Sequence, residues 1–198
     1  MTRPSRTAKD IRTICARSGV DQDPAHGAVM PPLYLSSNYS FAGFDQKRKY
    51  DYSRSGNPTR DVLAETLAEL EGGAGCVVTS TGMAAVDLPL NLLSPGDLLI
   101  APHDCYGGTH RLLCAHAKKG HFEVLWVDQG DPVALAAAFA LNPKLVLVET
   151  PSNPLLRVVD VADICVRAHG VGAKVIADNT FLSPALQRPI ELGADIVV

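Results

Sequence analysis

The sequence predicts an α/β fold built on a mainly parallel central sheet. Three observations lead there: 46% of the 198 residues are hydrophobic against 20% charged, short apolar runs recur from residue 76 onward, and helical patterns separate those runs. This composition supplies a sizeable core and too little charge for a disordered or coiled-coil chain. The runs VV, LLI, VLWV, LVLV and KVI are continuously apolar, as strands are when helices cover both faces of their sheet.

In chain order, residues 1–58 read as an arm broken by Pro24, Pro31, Pro32, Gly43, Gly56 and Pro58. Its rings, Tyr34, Tyr39, Phe41, Phe44, Tyr50 and Tyr52, are costly to expose and are expected to pack on the main domain or on a neighbouring subunit. Thr59 is the expected cap of a helix over 60–71, with Val62, Leu63, Thr66, Leu67 and Leu70 as its buried stripe and Gly72 as its stop. Residues 59–198 then form the α/β domain. Strands are expected near 76–79, 98–101, 122–127, 145–149, 174–177 and 195–198, and helices near 82–92, 108–118, 132–140, 159–169 and 184–192. The last run ends at Val198 without the loop that would follow a strand, so the chain is expected to be truncated within a larger architecture.

Charge and cysteine usage narrow the function. The net charge is −3, and ten of the 18 basic residues fall in residues 1–60. With no basic tract and no zinc-finger spacing, nucleic acid is not an expected partner. No run of 18 apolar residues exists and the polar start lacks a secretory core, so a cytoplasmic protein without a membrane partner is expected. Cys15, Cys76, Cys105, Cys114 and Cys165 form no CxxC pair or compact ligand cluster, so no metal site is expected. Cys76 and Cys165 read as core residues, while Cys105, beside His103 and Asp104, is better placed for a site.

The unusual polar residues collect where the loops of a parallel sheet converge: Ser80-Thr81-Gly82, His103-Asp104-Cys105-Tyr106, Thr150-Pro151-Ser152-Asn153 and Asp178-Asn179-Thr180. Gly82 and Met83 open a helix and can aim backbone N–H groups at a phosphate, although a plain turn would use the same residues. No GxGxxG opens a unit there, and Gly72-Gly73-Ala74-Gly75 precedes the run, which disfavours a dinucleotide. Tyr52 and Arg54 can donate to phosphate, or serve as packing and solvated charge. Tyr106 precedes Gly107-Gly108, where a flat ring could approach and stack; core packing is the alternative. Asp178, after the run 174–177, can hold a pyridinium nitrogen protonated, or cap a helix. Asn153 can reach a ring oxygen, or form the turn of its Ser-Asn-Pro segment. Lys174 sits at the wrong end of its strand, about 10 Å of extended chain from Asp178. Lys144 also precedes a strand, and Lys118 and Lys119 end a helix. None of them is expected to be a catalytic amine.

Together the segments YSRSGNPTR at 52–60, STGMAA at 80–85, PHDCYGGTHR at 102–111, ETPSNPLL at 149–156 and ADNTFLSPALQRP at 177–189 resemble the first half of the Cys/Met-metabolism enzymes dependent on pyridoxal phosphate. That resemblance implies the fold type I large domain, with pyridoxal 5'-phosphate as cofactor. It implies that Tyr52 and Arg54 reach the cofactor phosphate of a neighbouring subunit, while Gly82 and Met83 serve the phosphate within their own. Tyr106 would stack on the ring and support proton transfer, Asp178 would pair with the ring nitrogen, and Asn153 and Thr180 would lie at its edge. The Schiff-base lysine and the small C-terminal domain would follow Val198.

Among the family's members, the sequence resembles most those that join O-succinyl-L-homoserine and L-cysteine by gamma-replacement, giving cystathionine and succinate for methionine biosynthesis. Members that cleave cystathionine, activated-homoserine sulfhydrylases and an inactive assembly fragment are the alternatives. Ser55 stands where some cystathionine-forming members carry arginine, and serine also fits members that cleave cystathionine. Asp51 and Arg111 are the candidates for the substrate entrance, with a surface charge or an interface pair as the plainer role. The implied assembly is a homotetramer, a dimer of dimers that share their sites.

Overall fold

The computed structural model describes residues 10–198, so residues 1–9 of the expected arm lie outside the described residues. The chain divides into two compact units, Met1–Val78 and Thr79–Val198. The division falls after the first long helix, which therefore goes with the arm.

In the first unit, α1 (Ile11–Arg17) is capped by Asp10, which accepts the Arg12 N–H at 2.8 Å. The cap of α2 (Pro58–Glu71) is Asn57, which corrects the assignment to Thr59. Asn57 Oδ1 accepts the N–H groups of Thr59 at 2.9 Å and Arg60 at 3.4 Å. Pro58 takes the first helical position, where a missing N–H costs nothing. Thr59 lies inside the first turn, and its hydroxyl instead accepts the Tyr34 N–H at 2.9 Å. Gly72 ends the helix as expected, with φ 75°. Of the expected buried stripe only Leu70 is buried, and Leu63 and Leu67 are exposed. The arm folds back on itself through an antiparallel bridge between Asn38 and Tyr52 and a Tyr39 N–H to Asp51 carbonyl bond of 3.0 Å. Tyr34, Phe41, Phe44 and Tyr52 remain exposed, so the expected packing of these rings is not met within the single chain.

The second unit is a five-stranded sheet of β1 (Leu98–Pro102), β2 (Glu123–Val127), β3 (Leu145–Glu149), β4 (Lys174–Asp178) and β5 (Ile196–Val197). Every pairing is parallel and the order is β2-β1-β3-β4-β5. Between them run α3 (Gly82–Leu90), α4 (Gly107–Lys118), α5 (Pro132–Phe139), α6 (Val161–Gly170) and the single turn α7 (Ser183–Leu186). Alternate strand residues face opposite sides. Leu99, Leu145, Leu147 and Ile176 pack with Leu90 of α3 and Leu113 of α4. On the other face Ile100, Val146, Val148 and Val175 pack with Leu135 of α5 and Ile164 of α6. This double cover explains the continuously apolar strands.

Two expected elements differ. The run 76–79 belongs to no strand, and Val77 is exposed. Strand propensity does not make a strand without a ladder partner, and Cys76 is accordingly only partly buried. The helix expected over 184–192 stops at Leu186, and Gln187 is extended at φ −145° and ψ 140°. Pro189, which lacks an N–H and clashes with a preceding turn, prevents a continuous helix across that span. Among the described residues no helix is long and apolar enough to cross a membrane.

Candidate active site

The strand order positions the site. From β1 the chain moves to β2 on one side, then crosses to β3 on the other, so the loops leaving β1 and β3 diverge and open a crevice at their carboxyl ends. A cavity of about 370 Å³ lies there, lined among others by Gly82, Met83, Tyr106, Asn153, Asp178 and Thr180. Its size falls within the roughly 300–1,000 Å³ of small-molecule sites. All six were expected site residues, and the fold brings them together from four separate segments.

At one wall stands the N-terminus of α3. Thr81 caps it, its hydroxyl accepting the Ala84 N–H and its carbonyl the Ala85 N–H, both at 3.1 Å. The N–H groups of Gly82 and Met83 have no acceptor among the described residues. Two free donors at the positive end of a helix can receive an anion. A Cβ on Gly82 would meet nothing within 4 Å, so the approach to these donors is open.

Tyr106 immediately precedes α4 and is 45% exposed. A Cβ on Gly108 would lie 2.5 Å from Tyr106 Cε1 and 2.9 Å from Met83 Sδ. The ring therefore rests against a surface that only glycine leaves free. Asp178 ends β4 directly beside Glu149 at the end of β3. Its Oδ1 accepts the Thr180 N–H at 3.0 Å and the Thr180 hydroxyl at 2.6 Å. Its Oδ2 has no partner among the described residues. The local turn and the free acceptor thus use different oxygens of one carboxylate.

Sequence reasoning missed Glu149. It is 6% exposed, and its two oxygens accept the N–H groups of Tyr106 at 2.8 Å and Asn153 at 2.7 Å. Burial pushes its pKa up; the two N–H donors pull against that shift, and the carboxylates of Asp178 and Asp104 add to it. The available signal was a glutamate closing the otherwise apolar LVLVE run. A second link joins the same loops: Ser152 donates its hydroxyl to Asp104 at 2.7 Å. Thr109 was also missed. It is 1% exposed, lines the cavity, and its hydroxyl has no partner among the described residues.

Other expected residues are not among those lining this cavity. Tyr52, Arg54 and Asp51 belong to the first unit. Arg54 lies over the Tyr52 ring, 4.8 Å from its centroid, and its guanidinium makes no ion pair among the described residues. Asp51 is paired with Lys47 at 2.6 Å and accepts the Tyr52 N–H at 2.7 Å, contacts that hold its pKa down. Arg111, on α4, does not line the cavity. Cys105 is buried, and its thiol is pushed up to about 12 by burial first and then by Glu149 and Asp104. A buried thiol so reluctant to ionise packs in the interior.

The cavity fits pyridoxal phosphate. Two free helix N–H groups suit its phosphate, the Tyr106 ring offers a flat face, and an unpartnered carboxylate oxygen suits a protonated ring nitrogen.

Comparison with known proteins agrees. The profile of the Cys/Met metabolism PLP-dependent enzymes matches residues 12–198. Cystathionine gamma-synthase of Escherichia coli K12 is 62% identical over 187 residues, 94% of this chain and 48% of that protein. A cystathionine beta-lyase of Lactococcus lactis subsp. cremoris is 44% identical over 188 residues, 95% of this chain and 50% of that protein. The crystal structure of cystathionine gamma synthase from Xanthomonas oryzae pv. oryzae in complex with aminoacrylate and cysteine superposes with a TM-score of 0.95 at 59% identity, covering 96% of this chain and 50% of that one. The chain thus spans about half the length of these relatives. A match running from the arm through every strand and site loop is more than one shared motif: the chain belongs to the Cys/Met metabolism PLP-dependent enzyme family, and its cofactor is pyridoxal phosphate.

Proposed function

We propose that this chain supplies the cofactor-binding half of a cystathionine gamma-synthase, which condenses O-succinyl-L-homoserine with L-cysteine to cystathionine and succinate. The observation that carries this reading is the convergence of the free Gly82 and Met83 N–H groups, the Tyr106 ring and Asp178 Oδ2 on one cavity. Similarity to the E. coli and X. oryzae enzymes favours the gamma-synthase branch.

When bound, pyridoxal phosphate supplies a conjugated system that accepts the electron pair left when a proton departs from the amino-acid substrate. Gly82 and Met83 would hold its phosphate through backbone N–H groups. Tyr106 would give the ring a flat support, and its phenol could relay a proton. Asp178 would take the ring nitrogen on Oδ2 and keep it protonated, while Thr180 holds Oδ1. Asn153 and Thr180 would lie at the ring edge. In the net gamma-replacement the bond from the substrate's gamma carbon to the succinyl oxygen breaks. A bond from that carbon to the cysteine sulfur forms, and the thiol proton is released.

Among the described residues no lysine lines the cavity. The reactive lysine and the arginine for the substrate's alpha-carboxylate would come from a segment outside these 198 residues, and the chain alone would form no cystathionine. Tyr52 and Arg54 would serve the phosphate of a neighbouring subunit in a cytoplasmic homotetramer; an exposed guanidinium with no ion pair among the described residues supports this. Asp51 and Arg111 would lie at the substrate entrance. Ser55, with the beta-lyase similarity, favours a cystathionine-cleaving enzyme as the second reading.

The test is product analysis of the full-length protein given O-succinyl-L-homoserine with cysteine, with sulfide, or cystathionine alone. Cystathionine and succinate in equal amounts are expected from the first mixture. Preferential cleavage of cystathionine, or homocysteine formed mainly from sulfide, would replace the gamma-synthase reading. Cystathionine made by the purified 198-residue chain would overturn its dependence on a further segment.

A further inference from the structure

We infer that Glu149 is a positioning residue, whose buried carboxylate ties the loop carrying Tyr106 to the loop carrying Asn153 and so fixes the ring support relative to the ring edge. The inference rests on the cofactor-site reading of the cavity.

The geometry requires both oxygens. Oε2 takes the Tyr106 N–H at 2.8 Å and Oε1 the Asn153 N–H at 2.7 Å. These donors sit on loops leaving β1 and β3, the pair between which the crevice opens. One side chain therefore spans the mouth of the site from beneath. Charge makes the arrangement unfavourable as packing alone. Glu149 is buried, its charged neighbours Asp178 and Asp104 repel it, and no lysine or arginine forms an ion pair with it among the described residues. A buried carboxylate without a cation is costly unless its hydrogen bonds repay the desolvation. Leu147, two positions earlier on the same face, shows that this side of the strand accommodates an apolar residue in near-complete burial. What the carboxylate adds is an acceptor for two N–H groups at once, held by a strand in the middle of the sheet.

Glutamine keeps the shape but offers only one acceptor oxygen, and its amide N–H₂ cannot accept from the second loop. Alanine removes both acceptors. The two variants therefore grade the tie rather than merely abolish it.

The experiment compares amide hydrogen exchange of Tyr106 and Asn153 in cofactor-free full-length protein, wild type against Glu149→Gln and Glu149→Ala. Exchange should quicken by roughly fivefold to tenfold at one amide in Glu149→Gln and at both in Glu149→Ala, the effect of one lost hydrogen bond each. The amides of Val146 and Val148 should not change. In the holoprotein at saturating pyridoxal phosphate, the visible circular dichroism per bound cofactor should fall in the same order, because a ring held by a looser platform loses its fixed asymmetry. If Glu149→Ala does not fold, Glu149→Gln decides. Unchanged exchange at both amides overturns the tie. Faster exchange with unchanged dichroism reduces Glu149 to a structural residue and overturns the positioning role. A wild-type protein that binds no pyridoxal phosphate refutes the cofactor reading and the positioning role with it, while the exchange data still decide whether the tie exists.

Discussion

Replacing Gly108 by alanine sets two effects against each other at one atom. Gly108 is the second residue of α4, and its φ is not in the left-handed region. Alanine therefore fits the backbone and gains up to about 1 kcal/mol of helix propensity. Its Cβ, however, would stand 2.5 Å from Tyr106 Cε1, 3.1 Å from Tyr106 Cδ1 and 2.9 Å from Met83 Sδ. Carbon contacts are most favourable at roughly 3.5–4.0 Å, so the ring must withdraw by about 1 Å. Overpacking of this kind costs about 1–3 kcal/mol. With the helix-propensity gain realised in full, the net loss of stability is roughly 0–2 kcal/mol, small enough for the variant to fold. The displaced ring loses aromatic stacking worth about 0.5–1.5 kcal/mol, which is roughly a twofold to tenfold loss of pyridoxal phosphate affinity.

Thermal unfolding of the cofactor-free protein reads the first quantity, and equilibrium dialysis against pyridoxal phosphate the second. Gly107→Ala is the control: its Cβ would meet only Arg111 Nη1, at 3.4 Å and at the end of a flexible side chain. It should be neutral or mildly stabilising and leave cofactor affinity intact. If Gly108→Ala behaves like this control, gaining stability with unchanged affinity, the Tyr106 ring is not positioned by the bare Gly108 surface and the reasoning fails.

Asn57→Ala should destabilise the first unit by about 1–2 kcal/mol, read from the denaturant midpoint, because it removes the cap of α2. Asn57→Asp, which keeps the cap acceptor but loses the donation to the Tyr34 carbonyl at 3.1 Å, should recover only part of that loss. At Asp195, burial raises the pKa, but Lys174 at 2.8 Å, His169 at 2.9 Å and the Val175 N–H at 2.9 Å outweigh it and leave a lowered value. The folded state thus binds fewer protons, so this contribution is present above the unfolded value of 3.8 and is lost as pH falls through the folded pKa. Acid unfolding of Asp195→Asn should converge with wild type at low pH and diverge above it; parallel curves would contradict the assignment. Among the thiols, exposed Cys15 and Cys114 should react first with an alkylating probe at neutral pH. Buried Cys105 and Cys165, pushed up to about 12 and about 11 mainly by burial, should stay protected until unfolding. Peptide mapping that finds Cys105 among the first modified would refute its burial.

What could be read from the sequence was whatever depends on neighbours along the chain. The four long strands after β1 or at it follow from apolar runs of the right length, and the parallel sheet places Tyr106, Asn153 and Asp178 at the same edge because each follows such a run. The Gly72 stop was legible for the same local reason. Pairing was not legible: the run 76–79 has strand propensity but finds no ladder, a matter decided by the rest of the fold. Caps also mislead when two candidates are adjacent, and Asn57 preempts Thr59 because proline fits best immediately after the cap. Glu149 was hidden for a third reason. Its partners are 43 residues back and 4 residues ahead, so nothing local declares that its two oxygens face two loops.

Glu149 and Asp178 show how the fold gives one functional group two uses. They are paired in register at the ends of adjacent strands and line the same cavity. Glu149 meets backbone donors on both oxygens, so its capacity is consumed in holding loops. Among the described residues Asp178 meets only Thr180, on one oxygen, and its other oxygen is left for whatever enters. The difference arises beyond the strands: after β3 the chain turns so that the Asn153 N–H returns to Glu149, whereas after β4 the Thr180 N–H and hydroxyl both turn to Asp178 Oδ1. Two carboxylates so close repel each other when both are ionised. A protonated nitrogen arriving at Oδ2 would offset that repulsion, so the buried charge that ties the loops would also raise the preference of the cavity for a cationic ring over a neutral one.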